Sequence, residues 1–305
     1  MKVVLSLPHT IQAFALQPEQ LARLQARHPQ HQWLVAADEP ALLQQLPDAA
    51  VVLVWRFSAA WYGLGPQLRF VATPAAGREK VEADPSGRVR VIHASFHGKI
   101  MAESLLAMML YFTRRFDLAL ADQRAHHYGR DQYSTTRRLA GQRALIVGYG
   151  ALGRECARLL KAVGMHVTGV KRRLTDDTGP ADAVHAIDDL PNLLGKADHV
   201  IATLPADTGT DHLFDDSAFR AMRPSTGFYN LGRGNAVDET ALLRALHDGA
   251  LAHAFLDVFE REPLPPDSPL WDAPRLALTP HASASNSEYL DLWFAELAPH
   301  LDALT

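Results

Sequence analysis

The stretch RALIVGYGALG, Arg143 to Gly153, decides how the rest of the chain is read. Five residues of strand character run into Gly148, Gly150 and Gly153, and a helix-period segment follows from Ala151 to Ala162. In strand–turn–helix context this G-x-G-x-x-G spacing is the phosphate turn of a dinucleotide-binding βαβ unit. The first glycine permits the tight turn, and the second lets backbone approach a pyrophosphate. The third lets helix and strand pack closely, and the helix N-terminus faces the negative charge. Without that context the same glycines would mark only a tight connection.

Outward from the turn, short apolar runs alternate with helical segments, as in an α/β protein with parallel sheets. Downstream, MHVTGV, HVIATL, GFYNLG, AHAFLDV and RLALTP each read as a buried strand. Upstream, KVVLSL, QWLVAA, AVVLVW, RFVAT and VRVIHA do the same, with PEQLARLQAR and EPALLQQL as helices between them. One long apolar helix is expected over Ala102 to Leu120, before the polar segment AHHYGRDQYSTTRR. The last stretch, Ser287 to Leu304, reads as a helix that returns to complete the first domain. The expected layout is a doubly wound, Rossmann-type domain over 98–285, inserted into a discontinuous domain made of 1–97 and 286–305.

Composition is compatible with two cores: 305 residues, 48% of them hydrophobic. With 21% charged residues and a net charge of −4, there is no overall electrostatic footprint for nucleic acid or an anionic membrane. Neither is expected as a partner. A single cysteine, Cys156, excludes an intrachain disulfide framework and a multi-cysteine metal site, and it reads as a small buried residue. No metal is expected. The opening MKVVLSLPHT is too short for a signal peptide, and no apolar run reaches the ~18–20 residues of a membrane span. A soluble protein of the reducing cytoplasm is the expectation.

About 20 residues beyond the turn, Rossmann units that prefer NAD place an acid that binds the ribose hydroxyls. Here the segment is VTGVKRR, ending in Lys171, Arg172 and Arg173. An acid would repel a 2′-phosphate and arginine binds it, so the run reads as a clamp for NADP(H), with NAD(H) still usable. Arg172 is the expected main contact, with Lys171 and Arg173 in support. The plain alternative is a solvated charge cluster at a strand end.

Three later motifs, NLGRGNAVDE (Asn230 to Glu239), LDVFEREPLP (Leu256 to Pro265) and LTPHAS (Leu278 to Ser283), follow GYGALG in order. Together they resemble the D-isomer-specific 2-hydroxyacid dehydrogenases, a family that includes glyoxylate/hydroxypyruvate reductases, over roughly Leu105 to Ala284. The resemblance implies a flavodoxin-like α/β substrate domain beside the Rossmann domain, a homodimer, and a small 2-keto or 2-hydroxy acid as substrate. It carries Arg233 over as the group that holds carboxylate and carbonyl, His281 as the acid, and Glu262 as the carboxylate that orients the imidazole and favours its charged form. It also implies cofactor contacts from Tyr149, Ala151 and Leu152 in the turn, Leu204, Pro205 and Thr210 after HVIAT, and Leu231 and Gly232 through their backbone. Asp257 matches an aspartate directed at the nicotinamide carboxamide, and Ser283 falls on the same side.

The sequence departs from the family pattern in two places. The substrate-carboxylate loop reads TPAAGREKV, making Ala76 and Gly77 the candidates, with Arg78 and Lys80 where apolar or acidic residues are usual. HASAS lacks the glycines that often follow the histidine. Trp55 could wall the substrate pocket or belong to the core. A dinucleotide-binding regulator without catalysis is the alternative function. A formate-type dehydrogenase is disfavoured because its histidine partner is glutamine, whereas this chain has Glu262.

Overall fold

The computed structural model describes residues 1–304. The chain divides into two compact units, one of Met1–His97 with the residues from Ser285 onward, the other Gly98–Ala284. In the first unit β1 (Lys2–Ser6), β2 (Gln32–Val35), β3 (Ala49–Val54), β4 (Phe70–Thr73) and β5 (Arg90–His93) form one parallel sheet. Its order, β2-β1-β3-β4-β5, is the flavodoxin-like one. Strand β3 is buried at every position, as its unbroken AAVVLV requires of a strand covered on both faces. Helix α1 (Pro18–Arg27) starts with Gln17 and Gln20 capping each other. Helix α2 (Glu39–Gln45) starts where Asp38 accepts from the Ala41 amide at 2.9 Å.

The second unit begins with α3, whose helix runs His97–Thr113, followed by α4 (Phe116–Arg124). One continuous helix was expected here, and the chain instead breaks at Arg115. That residue takes a left-handed φ of 58° and turns its guanidinium onto Asp117 at 3.0 Å. The buried positions Ala102, Leu105, Met109 and Phe112 form a single helical stripe. They share a core with Ile146, Tyr229 and Phe255.

The rest of the unit is a βα alternation. Strand β6 (Arg143–Val147) leads into α5 (Ala151–Ala162), then β7 (His166–Lys171), β8 (Ala183–Ala186), α6 (Leu190–Leu194), β9 (His199–Ala202) and α7 (Asp216–Ala221). Next come β10 (Gly227–Asn230), α8 (Glu239–His247), β11 (His253–Leu256) and β12 (Leu276–Leu278). All pair in parallel in the order β12-β11-β10-β9-β6-β7-β8. This is the doubly wound Rossmann arrangement, in which the order reverses between β6 and β9. Successive residues of β6 feed opposite faces: Leu145 and Val147 join one core, Ala144 and Ile146 the other. Strand β8 was not anticipated from the sequence. It is a half-buried edge strand, so no apolar run marks it.

The C-terminal helix α9 (Tyr289–Asp302) belongs to the first unit. Leu290, Trp293, Leu297 and Leu301 lie on one face and pack with Val3, Leu5, Val51 and Leu53. Its polar face is tied down by Arg27–Asp302 at 3.1 Å and by Glu296, which accepts from the Ser95 and Phe96 amides at 2.9 Å.

Candidate active site

At the carboxyl edge of the seven-stranded sheet, where the strand order reverses, sits the glycine turn. Gly148 has φ 98°, and a Cβ there would meet Thr203 carbonyl atoms at 2.8 Å. The Thr203 hydroxyl donates to the Gly148 carbonyl at 2.8 Å, tying the two strands together just above the sheet. A Cβ on Gly153 would lie 3.0 Å from the Gly148 oxygen, so this glycine serves close packing of helix on turn. Above Gly150 the nearest atom to such a Cβ is 3.9 Å away, and no side chain caps α5. The first amides of the helix, at Ala151 and Leu152, are thus placed to receive an anion. A pyrophosphate fits this open turn.

Tyr149 departs from expectation. Its side chain turns inward, 2% exposed, with its hydroxyl accepting from the Ala181 amide at 3.0 Å and donating to the Thr178 carbonyl at 2.9 Å. Its own amide bonds to the Val170 carbonyl at 2.9 Å. It holds the turn against β7 and offers no side chain to a ligand.

At the end of β7 the basic run is exposed or half-buried. Lys171 Nζ donates to Thr175 Oγ1 at 2.7 Å, and Arg172, whose side chain is 71% exposed, pairs with Asp207 at 3.1 Å. The Asp207 carboxyl is held below the usual carboxylate range, first by the Gly209 amide and then by Arg172. Sequence reading did not find Asp207, which meets Arg172 only because the loops after β7 and β9 run side by side. In that second loop Leu204 is buried and Pro205 exposed. The Thr210 hydroxyl is used to close the loop, bonding to Pro205 O at 3.0 Å and Asp207 O at 2.7 Å.

The loop after β10 carries Arg233 and is built on Asn230, which is fully buried. Asn230 accepts from the Gly232 amide at 3.0 Å and donates to the Arg233 carbonyl at 3.1 Å. The Leu231 amide bonds to Ala202 at 3.0 Å, so the amides of Leu231 and Gly232 are both engaged internally. Gly234 brings this loop against the next one: a Cβ there would fall 1.9 Å from the Phe259 carbonyl. That contact sets the Arg233 loop beside the loop of Glu262.

Glu262 accepts from the Phe259 amide through Oε1 at 3.1 Å, and its Oε2 meets His281 Nδ1 at 2.8 Å. An ionised carboxylate only accepts, so Nδ1 carries hydrogen and Nε2 is left for a substrate. His281 has φ 52°, a left-handed conformation that a side-chain-bearing residue adopts only when its surroundings impose it. Its amide is held by Asp257 O at 2.7 Å and Thr279 O at 3.0 Å. The Asp257 carboxylate, 0% exposed, accepts from Thr279 Oγ1, from the Ala282 amide at 2.8 Å and from the Ser283 amide at 3.1 Å. The Asp257 carboxylate thereby shapes the His281 loop. Ser283 is buried, and its Oγ has no partner among the described residues, which leaves a hydroxyl available to a bound group. Its carbonyl accepts from Ser104 Oγ of α3 at 2.9 Å.

Trp55, Ala76 and Gly77 lie in the first unit. Trp55 is half-buried: its Nε1 donates to Phe14 O at 3.2 Å and its ring stacks 6.0 Å from Tyr289. Ala76 is exposed and Gly77 half-buried in the loop after β4. Burial first, and Arg78 second, push the neighbouring His93 below the usual imidazole range. Cys156 is buried in the second unit, and that burial pushes its thiol up to about 12, an inert sulfur.

Residues 106–283 match the family profile described as "D-isomer specific 2-hydroxyacid dehydrogenase, NAD binding domain". The chain is 30% identical to D-3-phosphoglycerate dehydrogenase of Mycobacterium bovis, over 94% of this chain and 55% of that protein. It thus spans about half the length of the first curated relatives it matches. It is 33% identical to glyoxylate/hydroxypyruvate reductase B of Klebsiella pneumoniae, over 73% of this chain and 71% of that one. Among solved structures, an NADPH-dependent glyoxylate/hydroxypyruvate reductase from Sinorhizobium meliloti, in complex with NADP and sulfate, is similar with TM-score 0.78 and 26% identity. That likeness covers 100% of this chain and 96% of the other.

Proposed function

The chain belongs to the D-isomer specific 2-hydroxyacid dehydrogenase family, and on that premise we propose that it reduces a small 2-keto acid to the 2-hydroxy acid, with NADPH preferred over NADH. Glyoxylate and hydroxypyruvate are the substrates favoured by the likeness to the two reductases. The observation that carries the reading is the 2.8 Å bond between His281 Nδ1 and Glu262 Oε2, on the same sheet edge as the open glycine turn.

The nicotinamide, when bound, supplies the hydride. Arg233 holds the substrate carboxylate and polarises the keto oxygen through its fork of donors. His281 hydrogen-bonds that oxygen from Nε2 and gives up a proton as the carbonyl becomes an alcohol. Glu262 keeps the ring in position and stabilises the imidazolium that donates. Ala76 and Gly77 are assigned to the substrate and the basic run 171–173 to the 2′-phosphate, with Arg172 oriented by Asp207. A cytoplasmic homodimer belongs to the same proposal. The Glu262–His281 pair favours catalysis over a purely regulatory dinucleotide-binding role.

A panel of 2-keto acids, followed by loss of nicotinamide absorbance with NADPH and with NADH, tests this. Oxidation that depends on glyoxylate or hydroxypyruvate, and is faster at low NADPH than at equal NADH, is expected. Cofactor binding with no keto-acid-dependent oxidation across the panel would support the regulatory alternative instead.

A further inference from the structure

A second cavity opens on the opposite edge of the seven-stranded sheet, where the strands begin. His199 and His253, the first residues of β9 and β11, line it together with Arg275, just before β12. Its volume of about 230 Å³ far exceeds the roughly 10–15 Å³ that one water needs. Three arginines, Arg115, Arg137 and Arg275, line it against a single carboxylate, Asp117. Arg115 engages both oxygens of Asp117, at 3.0 and 3.1 Å, so that carboxylate is neutralised within the wall. Arg275 gives one donor to Leu246 O. With neutral imidazoles, Arg137 and Arg275 leave the lining positively charged.

The floor is a hydrogen-bond chain whose direction can be deduced. Gln142 Nε2 donates to Arg138 O at 2.7 Å, which turns its Oε1 towards His199 Nε2 at 2.7 Å. An amide oxygen accepts, so His199 carries its hydrogen on Nε2 and accepts at Nδ1 from the Tyr229 hydroxyl at 3.1 Å. The Tyr229 oxygen must then accept from His253 Nε2 at 2.8 Å. His253, stacked on Phe112 at 4.2 Å, is left with Nδ1 as an unprotonated acceptor. Burial above all keeps both rings neutral, pushing His199 down to about 4 and His253 down to about 3. The chain is built in: a Cβ on Gly227 would lie 2.2 Å from His253 Nε2.

We propose that this cavity binds a hydrogen-bearing oxyanion of the phosphate class, remote from the site of reduction. Arg137 and Arg275 take the charged oxygens, and His253 Nδ1 accepts the hydrogen of a P–OH group. Sulfate and carboxylates have no such hydrogen at neutral pH, and would set a lone pair against the Nδ1 lone pair. Inorganic phosphate and phosphate monoesters share the chemistry; the monoester is largely the dianion near neutral pH, since its second pKa is about 6, and so is expected to bind more weakly.

The test is calorimetric titration of the 305-residue chain at pH 7 and fixed ionic strength with inorganic phosphate, glycerol 2-phosphate and sulfate in separate arms. Arg172→Gln, on the opposite sheet edge, and the exposed-side change Arg137→Gln combined with Arg275→Gln are titrated alongside. One phosphate per chain is expected, with sulfate about tenfold weaker or worse, the scale of one unmade hydrogen bond at a desolvated group. Phosphate binding should persist in Arg172→Gln and fall about tenfold or more in Arg137→Gln/Arg275→Gln. A monoester binding more tightly than inorganic phosphate would contradict the P–OH contact to His253 Nδ1 and overturn the proposal. Sulfate binding as tightly as phosphate, or loss of phosphate binding in Arg172→Gln but not in the rear double variant, would overturn the proposal.

Discussion

His281 occupies a backbone conformation that its own chemistry does not favour, and Asp257 explains why it is there. The buried carboxylate gathers the amides of Ala282 and Ser283, while the Asp257 carbonyl holds the His281 amide. Asn230 does the same for Arg233. Motif order singles out Arg233, Glu262 and His281 in the sequence, and the structure pairs the last two. The supporting roles of Asn230, Asp257 and Thr203 were not legible there, since each depends on partners that only the folded loops bring close. Tyr149 and Thr210 show the converse: both sit in cofactor motifs and use their side chains on the protein itself. At this scale the basic run makes a prediction. Changing Lys171, Arg172 and Arg173 together to glutamine should weaken NADPH binding by about tenfold or more and NADH binding little, since hydrogen bonds to a charged group contribute about 1.5–3 kcal/mol. Fluorescence titrations with both cofactors measure it, and equal losses would remove the clamp from the account.

Strands β6, β7, β9, β10, β11 and β12 were readable because each is a largely apolar run bounded by polar or glycine residues. The edge strand β8 carried no such signal. The break between α3 and α4 was hidden too, because it depends on Arg115 finding Asp117 and not on any proline or glycine. Strands β9, β10 and β11 are further linked by the His199–Tyr229–His253 chain, and this has a consequence for pH. In the unfolded chain both imidazoles bind a proton as pH falls below about 6.5; in the folded chain burial delays this to about 4 for His199 and about 3 for His253. Stability contributed by the neutral pair is therefore complete above pH 6.5 and lost progressively as pH falls from 6.5 towards 3. Urea midpoints across that window should drop in the native protein and drop less steeply in His199→Gln. Identical slopes in the two proteins would contradict this.

Across the whole molecule, α9 lies at the end of the chain yet packs with β1 and β3 from its beginning. Its apolar face was visible in the sequence, although its partners were reached only by elimination. Trp293 is 1% exposed, and Trp293→Ala should cost about 3–5 kcal/mol of stability, read from urea unfolding. An unchanged midpoint would mean that α9 is dispensable to that core. Turnover, too, belongs to the whole chain, and it bears most directly on the central claim. The decisive measurement is 2-keto-acid-dependent oxidation of NADPH by the native protein and by His281→Ala, with NADPH affinity determined on the same samples. The account predicts activity in the native chain and a fall in kcat of about 10²–10⁴-fold in the variant, with affinity for NADPH retained. Near-native turnover in His281→Ala would contradict it.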